Sequence, residues 1–187
     1  MFIIMFYHLK IKMYLHYAYD MKLIKEVCVD TDVLCNSFDL RRSVRAILSN
    51  EKGEIAIMNN KNFDWFCLPG GTMEAGDERE QTLRRECLEE AGAQIEILDK
   101  LGFIIEQRNR QGRIRLNYYF IAKVVGELQE PSREADEIES GMTLEFHSLD
   151  KAIEISRNAK PRKQLGEYQQ AIDLAALEYY KKKLSVQ

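Results

Sequence analysis

The chain has 187 residues, enough for one domain with a core of its own. Hydrophobic residues make up 45% and charged residues 30%, the balance of a soluble globular protein. With 30 acidic against 27 basic residues there is no basic excess of the kind a general nucleic-acid binder carries, so no stable nucleic-acid complex is expected.

The first 20 residues are apolar and aromatic but interrupted by His8, Lys10, Lys12 and His16. No apolar run approaches the roughly 20 residues of a membrane span, and no basic start, apolar centre and small-residue cleavage site line up as a signal peptide. Residues 1–20 therefore read as an upstream extension or, equally, as an extra strand or partner-binding segment. Cys28, Cys35, Cys67 and Cys87 show no close pairing, and the three histidines are scattered, so zinc is not expected. Reduced thiols in a cytoplasmic protein are the expectation.

Residues 41–48 read as a strand, Asn50-Glu51-Lys52-Gly53 as a turn and 54–59 as the returning strand of a hairpin. A short buried strand, Trp65 to Leu68, runs into Pro69-Gly70-Gly71, where glycine permits a turn that side chains would block. The next element is a helix over 78–91, with Asp77 as N-cap and Gly92 as C-cap. Strands follow over 94–107, bent near Gly102, and over 113–128, where Ile114, Leu116, Tyr118, Phe120, Ala122 and Val124 alternate on one face. After a polar loop come a short strand near 143–147 and a helix started by Ser148. The last helix, about 163–182, carries an apolar stripe of Leu165, Tyr168, Ile172, Ala175 and Tyr179, and reads as a packing helix.

The helix over 78–91 carries the chemistry. Each residue turns the helix by about 100°, so Glu89 lies roughly 60° to one side of Glu86 and Glu90 roughly 40° to the other. Cys87, Leu88 and Ala91 are expected to face a core. Like charges at i, i+4 cost a few tenths of a kcal/mol on a bare helix, a term whose sign a bound cation reverses. Taken alone, the three carboxylates read as a solvated acidic face. The glycine turn at a fixed distance ahead and the adjoining Arg85 make the joint pattern far rarer than its parts.

Residues 70–92 resemble the signature of the Nudix hydrolases, G-x5-E-x7-R-E-U-x-E-E-x-G-U, where U is bulky and apolar. Gly71, Arg85, Glu86, Glu89, Glu90 and Gly92 match it. Asp77 stands where Glu is usual, and Cys87 and Ala93 occupy the U positions. The flanking strands and helices extend the resemblance over roughly residues 41–155. The resemblance implies an α/β fold, a Nudix-type α/β/α sandwich with a mixed central sheet and a flanking C-terminal helix. It divides the chain into an N-terminal extension (1–20), a Nudix domain (21–158, box 70–92) and a packed C-terminal amphipathic helix (159–187).

The same resemblance implies hydrolysis of a diphosphate linkage in a small nucleoside diphosphate derivative by water attack on phosphorus, with Mg²⁺ or Mn²⁺. Gly70 (through its carbonyl), Glu86, Glu89 and Glu90 are then the metal ligands. Glu86, Glu89, Arg85 and Glu137 form the catalytic set, with Glu86 or a later carboxylate such as Glu137 as candidate base and Arg85 orienting a carboxylate, Asp77 its expected partner. Arg45, Trp65 and Tyr118 are the candidate substrate contacts. Arg108, Arg110, Arg113 and Arg115 cluster around a turn and read either as phosphate contacts or as surface charges. No pattern specific to the coenzyme A, dinucleoside polyphosphate or NADH subgroups is present, so the substrate stays open. The alternative is a catalytically silent Nudix-fold binding or sensing module, against which retention of Arg85, Glu86, Glu89 and Glu90 argues. A membrane role is not expected, and a homodimer is compatible with the family.

Overall fold

The computed structural model of the chain describes residues 20–28 and 38–186. Of the expected N-terminal extension only Asp20 falls within them, as an ion-pair partner of Arg79 (2.6 Å) and Lys100 (2.7 Å). Cys35 lies outside the described residues.

The elements are β1 (Leu23–Cys28), β2 (Asp39–Ser49), β3 (Ile55–Asn60), β4 (Trp65–Cys67), α1 (Arg79–Ala91), β5 (Ile95–Arg108), β6 (Arg113–Val124), α2 (Ala135–Glu139), β7 (Met142–His147), α3 (Leu149–Asn158) and α4 (Gln164–Leu184). The strands form one mixed sheet in the order β1-β5-β6-β2-β3-β4, with β7 paired to β3. β1 runs parallel to β5 and β2 parallel to β6, while β5 and β6 form a long antiparallel ribbon. The expected bend in β5 is present as register shifts between Ile97 and Gly102. A Cβ on Gly102 would lie 2.5 Å from the Lys22 carbonyl, so glycine lets β1 pass close by.

The hairpin expected from residues 41–59 forms, but its strands separate at once. β2 and β3 pair only at Ser49 and Ile55, after which β3 pairs with β4 and β7. The edge of β2 released in this way is taken by the glycine turn. Val44 N–H donates to the Gly71 carbonyl (3.0 Å), Ala46 N–H to Pro69 (2.9 Å), and Met73 N–H to Arg42 (2.9 Å). The turn thus hangs on the sheet as a short irregular strand.

Side chains of β2 and β6 alternate between two cores. Val44, Ala46 and Leu48 pack with Leu116, Tyr118 and Phe120 beneath Leu83, Cys87 and Ala91 of α1. Ile47 and Tyr119 pack on the opposite face with Ala152 and Ile153 of α3 and Ile172, Ala176 and Leu177 of α4. A helix layer on each face makes the α/β/α sandwich. Of the expected stripe on α4, Tyr168, Ile172 and Ala175 are buried, Tyr179 packs at the edge, and Leu165 is exposed.

Within the buried face of α4 stand two polar residues, Gln169 and Asp173. The Asp173 carboxylate accepts from Leu68 N–H, the Tyr119 hydroxyl and the Gln169 amide, each at 2.9 Å. Gln169 in turn accepts from Arg45 (3.0 Å). α4 is therefore part of the domain's own wiring, not only a helix laid against it. Removing this carboxylate leaves three buried donors without their acceptor and the buried Arg45 without the counter-charge of Asp173. Asp173→Ala is expected to cost about 3 kcal/mol or more in urea unfolding, and a loss below about 1 kcal/mol would contradict this account.

Candidate functional site

The site is built where the glycine turn meets α1. Gly70 has φ 137°, and a Cβ there would lie 2.2 Å from the Val44 carbonyl oxygen. At Gly71 the obstacle is different: a Cβ would lie 2.2 Å from the Glu86 carboxyl. The first glycine thus seats the turn on β2, and the second leaves room for a carboxylate to lie against the backbone.

α1 begins at Arg79, one residue later than the sequence suggests, with Glu78 in the N-cap position and no side-chain cap. Asp77 does not cap the helix. Its carboxylate accepts from Glu74 N–H (2.9 Å) and the Thr82 hydroxyl (3.2 Å), which closes the 74–77 turn against the first turn of α1. These contacts hold Asp77 below the usual carboxylate range, with the Glu74 N–H the main cause. Arg85 bonds Glu86 (2.7 Å) and Glu89 (2.8 Å) in place of the expected pairing with Asp77. An aspartate one methylene shorter than glutamate serves its own turn here. Gly92 ends the helix in the left-handed conformation as expected, its N–H on the Leu88 carbonyl at 3.0 Å.

The buried face of α1 is rotated from the expected one. Leu88 is 39% exposed, and Leu83, Cys87, Glu90 and Ala91 face inward. Seven residues make nearly two helical turns, so Glu90 lies almost directly along the helix from Leu83 and enters the protein with it. Its carboxylate accepts from Gly70 N–H (2.8 Å). Burial pushes the Glu90 carboxyl well above the usual range, opposed by Arg45 and the Gly70 N–H and reinforced by Glu137 and Glu86. Burial likewise raises Glu86, against the pull of Arg85. The Cys67 and Cys87 thiols are pushed up by burial, which leaves them neutral packing groups.

Arg45 faces this carboxylate cluster from below. It is 7% exposed, and its guanidinium donates to the carbonyls of Leu68 (3.1 Å) and Gly70 as well as to Gln169. Its fork is thus largely spent on the turn. The Gly70 carbonyl, expected as a metal ligand, is an Arg45 acceptor.

A cleft of about 200 Å³ opens beside Glu90, lined by Arg45, Phe63, Trp65, Glu137 and Lys163. Glu137 stands on α2 with its carboxylate accepting from Glu134 N–H (2.8 Å). Trp65 is packed against Gly166 of α4, where a Cβ would lie 2.9 Å from its ring, and its buried indole N–H has no partner among the described residues. Lys163 sits 3.4 Å over the Phe63 ring. Of the expected residues, Arg45, Trp65, Glu90 and Glu137 therefore meet at one cleft, with Glu86 adjoining. Tyr118 does not. It is fully buried on the α1 face of β6, under Arg79 at 4.1 Å, because neighbouring strand residues point to opposite faces. Lys163, Gln169 and Asp173 were missed in the sequence. Only the two polar residues at i, i+4 on an otherwise apolar helix face offered a signal for Gln169 and Asp173.

Among the described residues, no three acidic, histidine or cysteine side chains are gathered into a ready-made cation cage. Arg85 draws Glu89 outward while Glu90 turns inward to Gly70. The donor set still suits a hard divalent cation. It is all oxygen, the Glu86 carboxylate lies in a cradle that a Cβ at Gly71 would fill, and Glu86 and Glu90 are raised by burial and by neighbouring carboxylates.

A family model described as NUDIX domain matches residues 39–168. No curated protein matches the chain. Among solved structures, a NUDIX hydrolase from Nitrosomonas europaea is similar at TM-score 0.58 and 17% identity, covering 78% of this chain and 90% of that one. A MutT protein from Methanosarcina mazei Go1 follows at TM-score 0.55 and 18% identity, covering 79% and 98%. A UDP-X diphosphatase has TM-score 0.53 and 20% identity, covering 79% and 66%. At these identities the likeness is one of fold. The matched range crosses from the expected Nudix domain into α4, in keeping with the wiring of that helix.

The two glycines predict separable effects. Gly70→Ala meets backbone at positive φ and is expected to lower stability by more than about 2 kcal/mol. Gly71→Ala meets only a movable carboxylate, so it should cost under about 1 kcal/mol in urea unfolding yet weaken Mn²⁺ binding, read by electron paramagnetic resonance, roughly tenfold. A second prediction concerns charge. A carboxyl raised on folding contributes stability only below its unfolded value and loses it as pH rises through the folded one. Glu90→Gln is therefore expected to raise the melting temperature of the metal-free protein at pH 8 by a few degrees, roughly, with the gain shrinking toward pH 4 in a calorimetric pH series.

Proposed function

We propose that the chain, which belongs to the NUDIX domain family, is a Nudix pyrophosphohydrolase that hydrolyses a diphosphate linkage in a small nucleoside diphosphate derivative at the cleft beside Glu90. The observation that carries this reading is the joint presence of Glu86, Glu89 and Glu90 on one helix, with Glu86 packed against Gly71 and Glu90 bonded to Gly70 N–H. Mg²⁺, or Mn²⁺ in its place, would be held by these carboxylates and would supply charge neutralisation for the diphosphate.

The remaining roles fall to the chain's own groups. The attacking water adds its oxygen to one phosphorus, the P–O–P bond breaks, the bridging oxygen leaves with the other phosphorus, and the water's proton goes to a carboxylate. Glu86 and Glu137 are the candidates for that base. Burial raises Glu86, which brings its affinity for a proton closer to neutral pH. Glu137 lines the same cleft as Glu90. Arg85 is a positioning residue through its bonds to Glu86 and Glu89. Trp65 and Phe63 offer aromatic faces to the organic part of the substrate, and Lys163 a cation to its phosphates. The buried neutral thiols fit a cytoplasmic setting.

The test is a screen of nucleoside diphosphate derivatives with Mg²⁺ and Mn²⁺, scored by phosphate released from the phosphomonoester products with alkaline phosphatase. Glu89→Gln and Glu90→Gln are expected to fold and to lose roughly 10²-fold or more in kcat. A folded Glu90→Gln protein with undiminished turnover would refute the assignment.

A further inference from the structure

A second charged cluster lies on the α4 face of the sheet, beyond Arg45 and away from the carboxylates. Strand register brings it together. Arg115 pairs with Glu106 on β5, and Arg113 with Arg108. Glu106 and Arg108 are almost wholly buried, with Arg108 Nε on Glu106 Oε1 at 2.5 Å. The second Glu106 oxygen accepts from Asn117 (3.3 Å), which in turn accepts from Ser43 (2.5 Å). The guanidinium of Arg108 stacks 4.6 Å over Tyr168 of α4.

The charges in this cluster do not balance. Among the described residues, Glu106 is the carboxylate bonded within it, against Arg108, Arg113 and Arg115. Asp39 at its rim is paired with Arg41 instead. Both Glu106 oxygens are already taken. Arg108 Nη2, Arg113 Nε and Arg115 Nε are buried atoms without a hydrogen-bond partner among the described residues. Burial and the neighbouring arginine Arg108 bring Arg115 down to about 10, opposed by Glu106. An orphaned guanidinium N–H on Arg108, at 1% exposure, is costly, and such groups are rare unless something outside the chain completes them.

We propose that Arg108, Arg113 and Arg115 form an anion subsite for a compact oxyanion, a phosphate monoester or a carboxylate, carried by the substrate remote from the diphosphate that is cut. Guanidinium forks match the paired oxygens of such groups, and several around one point make a bidentate, charge-assisted cradle. Arg45 connects the two regions, because its charge acts on both Glu90 and Arg115. The molecule thus presents carboxylates at one end, for a cation, and free guanidinium donors at the other, for a second anion. This rests on the hydrolytic reading above, which supplies the diphosphate, and it narrows the substrate to diphosphates that also bear an anionic group on their other half.

Binding and turnover separate the two readings. Inorganic phosphate is titrated calorimetrically into the metal-free protein in chelator. The wild type is expected to bind it, Arg115→Gln to weaken it at least roughly tenfold, and Arg115→Lys to restore part of the loss, with unchanged circular-dichroism melting as the folding control. No phosphate binding, or equal binding in Arg115→Gln, overturns the subsite whatever the enzyme hydrolyses. Turnover is then compared on nucleoside diphosphate sugars with and without a phosphate on the sugar, and on uronic-acid against neutral sugars. A lower KM for one anionic member of a pair, lost in Arg115→Gln, supports the subsite and identifies its anion. Equal KM for all members overturns it. Phosphate binding without hydrolysis of any diphosphate leaves the subsite standing and sinks the hydrolytic reading alone.

Discussion

The structure turns on Arg45. Its guanidinium holds the carbonyls on either side of Pro69, meets Gln169 from the far helix, and faces Glu90 across the turn. A buried cation is tolerable only with acceptors on several sides, and here those acceptors are the backbone that must be shaped for the site. Asp173 completes the arrangement by taking Leu68 N–H, so both polar groups of Leu68 are fixed by side chains. The Pro69–Gly71 segment then has one place to lie, along the free edge of β2, and Glu86 and Glu90 meet a backbone already set.

Such a site is built against local preference. Glu90 is a carboxylate driven into a core, and Glu86 is largely withdrawn from water beside it. Both are held in a state that a hydrophobic or amide side chain would make more comfortable. The arginines at the other end of the sheet show the same tension with the opposite sign. Unmatched charge is thus concentrated at two places on the sheet, each at a cost in stability.

Much of this was legible in the sequence. The strands after β1, the hairpin turn, the bend at Gly102, Ser148 as a cap and Gly92 as a stop each have a local cause, and local causes can be read from neighbours. The box residues were legible because their spacing is set by one turn and one helix. What escaped reading was decided at long range. Helix geometry alone gave the angle between Glu86, Glu89 and Glu90 but not the direction of the core, so Leu88 and Glu90 exchanged places. Tyr118 looked as suitable as Trp65 until strand pairing put it on the other face. Asp77 could be seen to differ from the usual acid, yet its bond to Glu74 depends on how the 74–77 turn closes. Gln169 and Asp173 have partners more than a hundred residues away, and no short motif encodes that distance.

That separation has a consequence for how the protein is made. Leu68 and Asp173 are 105 positions apart, and the chain is synthesised from the other end. When the glutamate helix leaves the ribosome, the residues that will lock its facing turn have not yet been translated. Arg45 is then a cation in a nascent sheet without Gln169 or Asp173 to receive it. The turn that faces Glu86 and Glu90 therefore cannot gain its bonds to Gln169 and Asp173 during translation until α4 has emerged and docked.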